Sequence, residues 1–311
     1  MGRIEDALRR AADEHTRQAP PVSADPASVT APFPEEQDAE EVTVDSMVMA
    51  PAARIAAPPD RTPPTPVDTD PAASLLGRLD TGLAEKVVID SKMTQVSREQ
   101  YRKLAATLHQ AQAVSAIKVV MIASAVAGEG KTLTSSNLAL TLSESYKRRV
   151  LLIDADLRRP SLHSVFCVDG MTGLSEGLGA PVDQHFPVHQ VSPFLTVLPA
   201  GRPTADPMAG LTSERMRRLI EEARAGFDWV IVDTPPVGLL PDGHLLTAMV
   251  DGAILVVKAG ETPYPVVLRA LESLGRDRIL GVVLNQAADA STRAYYHYKY
   301  DYGSRPEIAR T

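Results

Sequence analysis

Lys131 and Thr132 close the run Ala125-Val126-Ala127-Gly128-Glu129-Gly130-Lys131-Thr132, an order of residue types suited to binding a polyphosphate. Backbone N–H groups of a tight turn and a helix N-terminus converge on phosphate oxygens, and the glycines let the chain approach closely. The Lys131 ammonium would reach the β- and γ-phosphates, and the Thr132 hydroxyl would ligate Mg²⁺. Ala127, Gly128, Glu129, Gly130, Lys131, Thr132 and Leu133 are thus the expected nucleotide-binding residues. The usual first glycine of such a loop is Ala125 here, one methyl group from the strict pattern. A glycine-rich structural turn is the competing explanation, and the strand-loop-helix context favours phosphate.

Two aspartates end apolar runs: Asp154 in Val150-Leu151-Leu152-Ile153-Asp154 and Asp233 in Val230-Ile231-Val232-Asp233. An unpaired carboxylate there is costly to bury, whereas a Mg²⁺–phosphate cluster supplies the compensating charge. Thr132, Asp154 and Asp233 are the expected metal ligands, with a strand-end Asp that merely caps a turn as the alternative. Asp156 follows Asp154 by two residues, so in an extended segment both carboxylates would point to one side. One would hold a metal-bound water while the other accepts a proton. Arg158 and Arg159 either stabilise charge on a transferring phosphoryl group or are solvated surface residues.

Five of the eight tyrosines cluster in Tyr295-Tyr296-His297-Tyr298-Lys299-Tyr300-Asp301-Tyr302, which demands a cause. Alternation with His, Lys and Asp keeps such a segment soluble, as phosphoryl acceptors should be. Stacking on nucleic acid or packing on the protein's own surface are the other uses, the first weakened by a formal net charge of -7 and no broad basic patch. No nucleic-acid partner is expected.

Residues 86–290 must position these groups. Short β-rich runs alternate with helical patterns there, as in parallel βαβ units. The expected strands are Lys118–Ala123, Arg149–Asp154, Phe194–Pro199, Trp229–Asp233, Ala253–Lys258 and Leu280–Asn285. Helical stretches are expected at Leu133–Tyr146, Ser213–Ala225, His244–Val250 and Pro265–Leu274. The fold class that accounts for them is α/β, a doubly wound, mainly parallel sheet with ligands at the carboxyl ends of its strands.

The rest of the chain reads differently. Residues 1–17 space Ile4, Ala7, Leu8 and Ala11 as a short amphipathic helix. Residues 18–85 hold twelve of the 25 prolines with few aromatics, a composition expected to stay disordered as a linker. Residues 291–311 form the tyrosine-rich tail. Nothing resembles a signal peptide or a membrane span, so a cytoplasmic protein with borrowed membrane association is expected. The single cysteine, Cys167, excludes an internal disulfide and is expected to be a small buried residue. His185 and His189 are separated by Pro187, which breaks a helical metal site; no metal but Mg²⁺ is expected.

Together these residues resemble the bacterial tyrosine autokinase (BY-kinase) family of capsule and exopolysaccharide loci over about residues 86–303. The resemblance rests on Ala127 to Thr132, on Leu152-Ile153-Asp154-Ala155-Asp156-Leu157-Arg158-Arg159-Pro160, on Val232-Asp233-Thr234-Pro235-Pro236 and on the tyrosine tail. The opening Met1-Gly2-Arg3-Ile4-Glu5-Asp6-Ala7-Leu8 also resembles the tyrosine autokinases of exosortase-linked polysaccharide operons. The family resemblance implies ATP and Mg²⁺ as cofactors, with Lys131, Thr132, Asp154, Asp156 and Asp233 as the catalytic set. Autophosphorylation would fall on Tyr295, Tyr296, Tyr298, Tyr300 and Tyr302, in trans within a ring of subunits. It further implies a membrane-embedded polysaccharide co-polymerase as activating adaptor, holding the protein at the inner face of the plasma membrane. The family's oligomerisation motif, a Glu and two Arg at three-residue intervals, stands here as Glu99, Arg102 and Ala105.

Two other readings stay open. One is an ATP-driven dimerisation switch like the partition and division-site ATPases, which carry an extra lysine where Val126 stands. The other is a catalytically idle nucleotide-bound regulator of polysaccharide export.

Overall fold

The computed structural model describes Leu79 and residues 86–90, 92–181, 184–238 and 245–287. The helix expected at 1–17, the linker at 18–85 apart from Leu79, and the tyrosine cluster lie outside the described residues.

Runs of Val, Ile and Leu that are buried on both faces form the central strands of a sheet of order β3-β4-β2-β5-β1-β6-β7. The strands are β1 (Val119–Ser124), β2 (Val150–Asp154), β3 (His189–Gln190), β4 (Leu195–Leu198), β5 (Trp229–Asp233), β6 (Gly252–Lys258) and β7 (Ile279–Asn285). Every pairing is parallel except the short β3–β4 contact. The carboxyl ends of β1, β2 and β5 therefore lie side by side, with Asp154 opposite Asp233 in the ladder. The six expected strands appear, each bound within one residue of its expected place. β3 was not expected: two polar residues on an edge carry no hydrophobic signal.

The helices are α1 (Gln95–Ser115), α2 (Lys131–Leu140), α3 (Leu162–Val165), α4 (Leu174–Gly179), α5 (Met208–Leu211), α6 (Glu214–Gly226) and α7 (Tyr264–Leu274). α1 was absent from the expected helices, although its buried Ala105 and Leu108 and partly buried Leu104 and Ala111 follow helical spacing. Thr94 caps its start by accepting from the Ser97 N–H. α2 begins at Lys131, earlier than the expected Leu133, and ends in a π-turn over Thr141–Ser145. There the Thr141 hydroxyl donates to the Asn137 carbonyl at 2.7 Å and competes with the helical ladder. The expected helix at His244–Val250 is, in its described part, α-helical at Leu245 and Leu246 and tightens to a 3-10 turn over Thr247–Met249.

Cys167 corrects an expectation: it is exposed, with φ of 46°. Its neighbour Phe166 takes the core position instead, and the chain reverses immediately after it.

Asn137, on α2, fastens the segment before α1: its Oδ1 accepts from the Val88 N–H at 2.7 Å and its Nδ2 donates to the Lys86 carbonyl at 2.9 Å. Asn137→Ala leaves both groups without that partner, so urea unfolding should show a loss of about 1–3 kcal/mol.

Candidate active site

β1 delivers the chain into the loop Ala125–Gly130, and α2 takes it away. Gly128 and Gly130 have φ of 84° and 91°, values only glycine adopts without strain. A side chain on Gly130 would also collide with the Asn285 amide. Ala125 is buried and has no left-handed backbone, so its methyl group needs no relief and the missing glycine leaves the loop intact. Val237 and Gly238 lie across this corner, their N–H groups donating to the Ser124 and Ala125 carbonyls at 2.9 and 3.2 Å. The first-turn N–H groups of α2 have no partner within the helix and point out of its start, as a phosphate site requires.

Five expected side chains meet beside this loop. Lys131 Nζ lies 3.3 Å from Asp156 Oδ2, both nearly buried. The Thr132 hydroxyl lies 3.1 Å from that of Ser161. Asp154 spends both oxygens on backbone: Oδ1 accepts from Asp156 N–H at 3.1 Å, and Oδ2 from Ser161 and Leu162 N–H at 3.0 Å each. It shapes the turn that carries Asp156. The expectation of a shared extended face is therefore corrected: β2 stops at Asp154, and this side-chain-to-backbone turn brings Asp156 to the site. Asp233 differs from both, because neither of its fully buried oxygens has a hydrogen-bond partner.

Electrostatics follow from that burial. Burial pushes the Asp233 carboxyl up to about 7, opposed by the Lys131 charge and aided by the Asp154 carboxylate. Burial likewise raises Asp154 to about 6, against the pull of its three backbone donors. A buried carboxylate without a partner, next to a second carboxylate and a phosphate loop, fits a divalent cation. Thr132 and Asp233 are placed to serve it, with Asp154 adjoining.

Arg158 donates to the Ala205 carbonyl at 2.7 Å, and Arg159 is exposed. On α1, Glu99 and Arg102 are exposed and paired at 3.6 Å, whereas Ala105 is fully buried. Ser161, Thr262 and Asn285 also reach this region without having been singled out. Ser161 follows the Asp-rich run and Asn285 is a polar strand end, both weak signals; Thr262 had none.

Residues 115–299 match the ParA family, described as NUBPL iron-transfer P-loop NTPase. The tyrosine-protein kinase YwqD of Bacillus subtilis is 33% identical over 70% of this chain and 92% of its own length. The chain belongs to the bacterial tyrosine-kinase family. The kinase is also 35% identical, over 65% of its length, to 26% of the succinoglycan biosynthesis transport protein ExoP of Rhizobium meliloti. Its fold matches the kinase domain of Escherichia coli tyrosine kinase ETK with a TM-score of 0.56 and 32% identity, over 62% of this chain and 78% of that one. The family's P-loop class is that of nucleotide-binding proteins. Among the described residues no helix is long and apolar enough to cross a membrane.

Proposed function

We propose that this kinase transfers the γ-phosphoryl group of ATP to Tyr295, Tyr296, Tyr298, Tyr300 and Tyr302 of its own cluster, and so regulates exopolysaccharide or capsule synthesis and export. The observation that carries the reading is the unpartnered, fully buried Asp233 beside Lys131 and the phosphate loop.

ATP supplies the phosphoryl group, and Mg²⁺ supplies the charge that the buried carboxylates lack. The loop residues Ala127 to Leu133 would bind phosphate through backbone N–H groups, and Thr132, Asp233 and Asp154 would hold the cation. Lys131 waits on Asp156 and turns to the γ-phosphate when it arrives. Asp156 is thereby released to take the proton of the tyrosine hydroxyl, whose ordinary pKa is about 10. The tyrosine oxygen bonds to phosphorus as the bond to the ADP oxygen breaks, and ADP leaves. Asp156→Asn should lower the rate about a hundredfold with nucleotide affinity retained.

Chain geometry supports the tail as acceptor. β7 ends at Asn285, two strands from β1 at the same edge of the sheet. Tyr295 comes ten residues later, within about 36 Å of fully extended chain. A tail of that length serves its own site or that of a neighbouring copy, with Glu99 and Arg102 as the exposed charges for assembly. The partial match to a transport protein supports a membrane-embedded polysaccharide co-polymerase as activator, which would place the kinase at the inner face of the membrane.

The test is a variant with all five cluster tyrosines changed to Phe, incubated with γ-labelled ATP and Mg²⁺. The label should be lost from protein while nucleotide affinity is kept. Phosphate release at an unchanged rate with no labelled tyrosine in the unmodified protein would point instead to an ATP-driven dimerisation switch.

A further inference from the structure

Glu129 is 1% exposed and stands inside the phosphate loop, where a negative charge opposes the ligand and needs a reason. Its carboxylate takes three hydrogen bonds. Oε2 accepts from the Val126 N–H of the same loop at 2.8 Å. Oε1 accepts from the Lys258 N–H at 3.2 Å and from the Thr262 hydroxyl at 2.5 Å. The Glu129 carbonyl accepts from the Asn285 amide at 2.8 Å. Lys258 and Thr262 belong to the end of β6 and the turn before α7, far from the loop in sequence. Thr262 supplies the one donor to the carboxylate that a side-chain substitution removes.

We propose that Thr262 is a positioning residue for the nucleotide: through the Glu129 carboxylate it holds the phosphate loop in its binding shape. The inference rests on the reading that this loop binds nucleotide phosphates. A loop with glycines at 128 and 130 has little shape of its own, because both residues cross between left-handed and right-handed backbone cheaply. Something outside it must choose the conformation. A buried carboxylate does so strongly, since it needs its donors and charged hydrogen bonds are stronger than neutral ones. Losing one donor favours conformations in which Glu129 turns to water and carries the neighbouring N–H groups off the phosphates. Apparent affinity then falls by the fraction of loops still in the binding shape. Those N–H groups contact phosphate alike before and during transfer, so KM for ATP rises while kcat changes little.

The experiment titrates the full chain with a fluorescent ADP analogue and Mg²⁺, alongside steady-state kinetics in ATP. Thr262→Val should weaken binding about tenfold and raise KM similarly, while Thr262→Ser, which keeps the hydroxyl, should restore both to within about twofold. In a Glu129→Ala background, Thr262→Val should cost nothing further, because the acceptor through which it acts is gone. The inference is overturned if Thr262→Val binds as tightly as the unmodified protein, even with a lowered melting temperature, or if the two substitutions weaken binding additively. Absence of binding by the unmodified protein overturns both this inference and the nucleotide reading; binding by it with an unchanged Thr262→Val overturns this inference alone.

Discussion

Replacing Lys131 with methionine should reduce tyrosine phosphorylation by about a hundredfold to a thousandfold, the usual loss when one preorganised charge at a transferring group is removed. The methionine stem fills nearly the same space, so far-ultraviolet circular dichroism should not change. Removing the ammonium also strips Asp156 of its partner at 3.3 Å, and Lys131→Met should bind nucleotide more weakly as well. Phosphotyrosine at the unmodified level in Lys131→Met would remove Lys131 from the chemistry.

Asp233→Asn should act in opposite directions on activity and stability. Activity should fall at least about a hundredfold, because the carboxylate best placed for a cation becomes a neutral amide. The metal-free, nucleotide-free protein should instead become more stable near neutral pH. Burial raises Asp233 to about 7, above the ordinary carboxylate value of 3.8. A group raised in the folded state stabilises fully below its unfolded pKa, and that stabilisation is lost as pH rises through the folded pKa. Folded Asp233 is thus accommodated as the neutral acid near pH 4, and the fold pays for its charge progressively up to about pH 7. An amide escapes that cost. Urea unfolding in chelator should find Asp233→Asn similar to the unmodified protein near pH 4 and about 2 kcal/mol more stable near pH 8. Equal stability at both pH values would show that the Asp233 charge is compensated within the protein.

The sheet was legible in the sequence because its central strands are buried on both faces and read as unbroken apolar runs, as in Val150-Leu151-Leu152-Ile153. The phosphate loop was legible because Gly128, Gly130, Lys131 and Thr132 are local. Strand alternation points to Asp156 only in part, because it does not carry past Asp154; the hydrogen bonds of Asp154 to three backbone groups do the positioning. α1 was overlooked because its buried face is narrow, set mainly by Ala105 and Leu108 among polar residues. The exposed Cys167 could not be foreseen from apolar neighbours, since Phe166 and Val168 lean on the core while the thiol faces away. Thr262 was invisible for another reason: its contact to Glu129 spans 133 residues, and only the order of strands brings them together.

The most direct measurement is mapping of phosphotyrosine by mass spectrometry after incubating the full chain with ATP and Mg²⁺, beside Lys131→Met treated identically. Modification of Tyr295, Tyr296, Tyr298, Tyr300 and Tyr302 in the first sample and its loss in the second is the predicted result. ATP turnover with no modified tyrosine in either, or equal modification in both, would contradict phosphoryl transfer from this site to the tail.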